Sequence, residues 1–173
     1  MIRKIFLAAL MILLFAAQEA AAHEYLTYQA HVEDYGWLEP VGEGDIAGTT
    51  GESKRLEALI IKCDGGVRYS AHVQNIGWQG WTNSGGVAGT VGQNLRMEAI
   101  KIQPLSDNVD FYYRVHVQNI GWLGWAKNGE PAGTAGAALR MEALQILIVN
   151  RGEPFDRGDK PAFYQKITNA PLV

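Results

Sequence analysis

Cysteine is almost missing from this chain: Cys63 is the only one among 173 residues. That excludes an intramolecular disulfide and leaves packing to hold the fold. Cys63 also lies too far from the N-terminus to be a lipid-attachment residue, so it reads as a partly buried thiol, with an intermolecular disulfide as the alternative. Basic charge in excess is missing too. Fifteen Lys and Arg stand against eighteen Asp and Glu, for a net charge of −3, which argues against nucleic acid or an anionic membrane as partner, since both reward clustered cations. There is no Gly-x-Ser-x-Gly, no His-Glu-x-x-His and no phosphate-cradling loop, so the common nucleophile, zinc and nucleotide motifs are absent.

Long apolar runs are confined to the start. Arg3 and Lys4 precede an almost wholly apolar stretch from Ile5 to Ala17, and Ala20, Ala21 and Ala22 follow. The pattern predicts a secretory signal over residues 1–22, cleaved before His23, in a secreted or extracytoplasmic protein of the cell surface or periplasm. The run is short for a membrane span; an uncleaved anchor is the other reading. No membrane span is expected after signal cleavage. About 150 residues then remain, the size of one domain.

What the chain has is repetition. Superposing His31, His72 and His116, at offsets of 41 and 44 residues, also aligns Trp37, Trp78 and Trp122, then Gly48, Gly89 and Gly133, then Arg55, Arg96 and Arg140. A period of this size marks a unit that cannot bury its apolar face alone. The copies run over about 25–62, 68–103 and 112–147 in one domain spanning 23–149, and 150–173 forms a tail whose weak alternation after Ala162 suggests a closing strand.

Each copy opens with strict alternation, as in Tyr69, Ala71 and Val73 against Arg68, Ser70, His72 and Gln74. Period two predicts a half-buried strand. Each copy closes on Leu95 to Ile102 or its equivalent, where the apolar face switches after Ala99; a bulge or a strand covered on both faces explains the switch. Good helix formers there leave a helix open, but eight residues between Gly-rich turns favour a strand. The Gly-rich middle is expected to hold one short strand between two turns. The fold class is therefore all-β, a three-fold pseudosymmetric closed repeat domain. A β-prism fits, preferred over a β-trefoil because the middle is poor in apolar residues.

Two classes of Trp follow. Trp37, Trp78 and Trp122 occur in every copy, as expected for a core slot filled three times. Trp81 and Trp125 give way to Pro40 in the first copy, which points to exposure, because emptying a buried Trp slot costs roughly 3–5 kcal/mol. With Gly80, Gly124, Asn83 and Asn128 they form the candidate ligand-binding set, a stacking platform for a sugar ring or apolar ligand; covering a neighbouring strand is the alternative. His31, His72 and His116, Arg55, Arg96 and Arg140, and Glu57, Glu98 and Glu142 recur as well. A threefold Arg–Glu pairing with His beside it is the expected structural role. A zinc site of three His on the axis and a hydrolase using the carboxylates are weaker alternatives, since enzymes need one asymmetric constellation. No catalytic residue, metal or cofactor is assigned, and the chain is read as not an enzyme.

The string His-Val-Gln-Asn-Ile-Gly-Trp-x-Gly-Trp at 72–81 and 116–125, followed by Ala-Gly-Thr-x-Gly and Leu-Arg-Met-Glu-Ala, resembles the clostridial hydrophobic repeat with conserved tryptophan, the ChW repeat. The likeness covers about Tyr25 to Leu147; the first copy departs from it with Glu33-Asp34-Tyr35 and Pro40. The resemblance implies a secreted or cell-surface binding role towards polysaccharide, cell-wall glycan or a surface protein, without fixing the ligand. Outside it, Arg157-Gly158-Asp159 has the form of an integrin-binding tripeptide, a string frequent by chance.

Overall fold

The structure is a computed structural model and describes residues 25–166; the predicted signal over 1–22 lies outside them. Among the described residues there is no helix. The first repeat holds β1 (Leu26–Val32), β2 (Gly36–Trp37), β3 (Val41–Gly42), β4 (Ala47–Gly48) and β5 (Leu56–Cys63). The second holds β6 (Val67–Val73), β7 (Gly77–Trp78), β8 (Thr82–Asn83), β9 (Val87–Gly89) and β10 (Met97–Pro104). The third holds β11 (Val109–Val117), β12 (Gly121–Trp122), β13 (Ala126–Lys127), β14 (Ala132–Ala135) and β15 (Met141–Asn150), and the tail adds β16 (Phe163–Gln165). The middle of each copy thus carries three short strands, where one was expected. Two of them pair back on the opening strand, and the third leaves for another sheet.

That departure organises the molecule. The opening and closing strands of each repeat pair antiparallel, and the sheet is completed by the third short strand of another repeat. β9 of repeat 2 pairs β5 of repeat 1, β14 of repeat 3 pairs β10 of repeat 2, and β4 of repeat 1 pairs β15 of repeat 3. The exchange is cyclic and gives three sheets. Further bonds repeat it: Gly85 N–H donates to Ile61 O (2.8 Å), Gly129 to Ile102 O (2.7 Å) and Gly44 to Ile146 O (2.8 Å).

The alternation read in the opening strands aims Tyr28, Tyr69 and Tyr113 inward, and they are among the largest fully buried side chains. They sit in one hydrophobic cluster fed by all three repeats. A buried phenol needs partners, and here they come from two repeats. Tyr69 Oη donates to Gly86 O in its own repeat and accepts from Ile61 N–H at 3.0 Å in the first. Tyr113 links Glu130 O to Ile102 N–H, and Tyr28 links Asp45 O to Ile146 N–H.

Burial raises all three phenols, that of Tyr28 to about 12. The folded state therefore holds protons that the unfolded chain gives up near pH 10, so this contribution is intact below pH 10 and is lost as pH rises through about 12. A urea midpoint falling steadily across that window is the expected result, and a flat one would contradict it. Tyr69→Phe should cost about 1–3 kcal/mol, because it leaves the Gly86 carbonyl and the Ile61 amide without their buried partner.

The Trp expectation is corrected. Trp37, Trp78 and Trp122 are half-buried and lie outside the core cluster. The reason is register: each pairs across its ribbon with His31, His72 or His116, on the outward side of the opening strand, and cross-strand partners share a face.

Candidate functional site

On the outward side of each sheet the recurring polar residues meet. In every repeat the register skips one residue of the closing strand, Glu57, Glu98 or Glu142, opposite the end of the opening strand. This is the bulge that explains the face switch, and a bulge re-aims the side chain it carries. Each of these Glu is buried. Arg96 Nε and Nη2 reach Glu98 Oε1 at 2.9 and 2.8 Å, and His72 Nδ1 lies 3.2 Å from Glu98 Oε2. Arg55, Glu57 and His31 repeat this geometry, as do Arg140, Glu142 and His116, where the His contact is a hydrogen bond of 2.9 Å. The rings of His31, His72 and His116 in turn abut Trp37, Trp78 and Trp122 edge-on at 5.2–5.5 Å. Each His therefore lies between a Glu and a Trp of its own repeat, and His116 hydrogen-bonds its Glu. Among the described residues no group of three or more His, Cys, Asp or Glu is placed to hold a metal ion.

The backbone of the same bulge receives the exchanged strand. Thr90 N–H donates to Glu57 O (2.8 Å) and Thr49 N–H to Glu142 O (2.9 Å). The neighbouring Gly89 has φ +100°, and a Cβ there would fall against Glu57 O and 2.7 Å from Ala58 Cα. Gly48 and Gly133 meet the bulges at Glu142 and Glu98 in the same way. The triads, the bulges and the close-approach glycines are one device, built three times.

The second Trp class is not symmetric. Trp81 is 45 % exposed, with the Arg68 guanidinium 4.9 Å from its ring centroid. Gly80 and Asn83 are exposed beside it. Trp125 is half-buried: Arg114 packs 4.6 Å from its centroid, and Phe155 of the tail meets it edge-on at 5.4 Å while stacking on Tyr112 at 4.0 Å. Gly124 is buried under the tail, where a Cβ would strike the Lys160 carbonyl. Gly124 N–H donates to Pro161 O (3.1 Å), Arg157 Nε donates to Trp125 O (2.8 Å), and Arg157 also pairs with Glu130. What remains open is a cleft of about 260 Å³ lined by Arg114, Trp122 and Trp125 and walled by residues 156–160.

Two corrections follow for the predicted set. Trp125 and Gly124 carry the chain's own tail on one side and line with it the cleft that stays open. Asn128 is internal, its Oδ1 accepting from Phe111 N–H (2.8 Å) and its Nδ2 donating to Asp110 (2.7 Å); it aligns with Ser84 rather than with Asn83. The open set is Trp81, Gly80 and Asn83, joined by Arg68, which the sequence did not single out although it opens the second repeat's alternating strand.

A family model described as Clostridial hydrophobic W (ChW) matches the chain three times, at residues 31–65, 72–103 and 116–150. None of the curated proteins and none of the solved structures matches.

Proposed function

The chain belongs to the ChW family, and we propose that it is a non-enzymatic recognition module of the cell exterior, exported by its N-terminal signal, that takes a polysaccharide, a cell-wall glycan or a surface protein on the indole–glycine face of repeat 2. The observation that carries this reading is the contrast between two aligned indoles: Trp81 stands open beside Gly80 and Arg68, while Trp125 is half-buried against Phe155 of the tail. An exposed indole next to glycine, with a guanidinium over its ring, offers a flat apolar surface beside a cation. The three His–Glu–Arg triads support a scaffold role, since each recurs in its own repeat with Arg bonded to the buried Glu and His beside it. We read the three sheets around one core as a prism-like closure.

Trp81→Ala should abolish retention on whichever surface polysaccharide or surface protein the wild-type chain binds, a weakening of at least tenfold. It should leave stability within about 0.5 kcal/mol, as for a surface side chain. Unchanged retention in a pull-down, or a failure of acrylamide to reach any indole, would favour a purely structural module instead.

A further inference from the structure

Resting on that reading, we infer that the open face of repeat 2 takes an extended polypeptide segment carrying an aromatic residue next to a carboxylate. The tail supplies the argument. Residues 155–165 lie on repeat 3 as a peptide ligand would: Phe155 wedges between Tyr112 and Trp125, the Pro161 carbonyl accepts from Gly124 N–H, and the Ala162 carbonyl accepts from Gly133 N–H (2.9 Å). Phe163–Gln165 then pair in parallel with β14. This is strand addition, in which backbone bonds give affinity and side-chain pockets give selectivity.

Repeat 2 carries the same face without the occupant. Gly80 aligns with Gly124, and its outward side is clear of other atoms within 4 Å. Val91 aligns with Ala135, which pairs with Gln165 of the tail and is 8 % exposed; Val91 is 47 % exposed, and Val87 and Trp81 are similarly bare. At Gly89, the counterpart of Gly133, the Gln79 side chain stands in for a strand: its Oε1 accepts from Gly89 N–H (2.7 Å) and its Nε2 donates to Gly89 O (3.1 Å). Repeat 3 has Leu123 at that position and uses the tail.

The charges refine the ligand. Arg68 replaces Tyr112 and bonds only the neutral Gln103 among the described side chains, while Lys101 lies 4.1 Å from the Trp78 ring. Neither has a carboxylate partner among the described residues. An aromatic side chain seated on Trp81 and Arg68, with a carboxylate beside it for Arg68 or Lys101, completes the face. The pair Phe155-Asp156 at the head of the tail has that composition.

The probe is a synthetic peptide copying residues 153–166, titrated into the full chain, whose own tail already fills the β14 edge and the Phe155 slot of repeat 3. Saturable quenching of tryptophan fluorescence is expected. It should weaken at least tenfold for Trp81→Ala and for a peptide with its Phe155→Ala, and tighten several-fold for Gln79→Leu, which frees the Gly89 edge. Absence of saturation into the millimolar range, or binding indifferent to Trp81→Ala, overturns the inference. If a polysaccharide panel shows Trp81-dependent retention while the peptide does not bind, the peptide class falls and the recognition reading stands. If neither binds through Trp81, both fall.

Discussion

Gly89→Ala is expected to remove about 3–5 kcal/mol of stability, enough to unfold much of a domain of ordinary stability. Two effects add. The backbone at φ +100° lies where side chains are rarely tolerated, at about 1–3 kcal/mol. The new Cβ also meets main chain rather than a movable side chain, with Glu57 O and Ala58 Cα in its way, and forced overpacking costs typically about 1–3 kcal/mol. Because the atoms struck belong to another repeat, relief requires the β9–β5 ladder to open. Gly77→Ala is the control: its φ is similar, at +81°, but nothing lies within 4 Å of the new atom. It should lose only about 1–2 kcal/mol, the conformational part alone. Equal urea midpoints for the two variants would show that strand exchange does not depend on the close approach.

Glu98→Ala is expected to cost about 2–4 kcal/mol. The carboxylate is 5 % exposed and serves as acceptor for Arg96, with His72 alongside. Removing one partner of a buried pair costs about 3–5 kcal/mol, since it leaves the other charge uncompensated. The value is lowered here because the Arg96 side chain is 22 % exposed and recovers some hydration. Glu98→Gln keeps an acceptor oxygen and should fall between Ala and wild type. Glu142→Ala should lose about as much, and Glu57→Ala less, because Arg55 keeps Glu33 as a second carboxylate. A loss confined to one copy would argue that copy has a separate duty.

Much of this architecture is legible in the sequence, and the reasons are local. Strict alternation around Tyr69 and Tyr113 identifies the opening strands because side chains alternate across a pleat. The face switch after Ala99 announces the bulge, since one extra residue inverts the pattern. Which side of the sheet Trp37, Trp78 and Trp122 occupy is not legible, because a two-residue strand has no period of its own and takes its facing from His31, His72 and His116. Nor does repetition tell that the third short strand leaves for another repeat; a symmetric sequence is compatible with pairing inside each copy or around the ring. The unequal fate of Trp81 and Trp125 was hidden for a different reason. It is decided by Phe155, Arg157 and Pro161, in a tail outside the repeats, and by a single exchange of Gln79 for Leu123.

The interlocking of the repeats is tested most directly by native-state hydrogen exchange on the full chain, followed through the amides that cross between repeats: Gly44 and Thr49, Gly85 and Thr90, and Gly129. Strand exchange around a ring predicts that all five open with the same free energy, equal to that of global unfolding, and respond alike to denaturant. Junction amides that open at distinctly lower energy, one repeat at a time, would contradict it and make the chain three separable units.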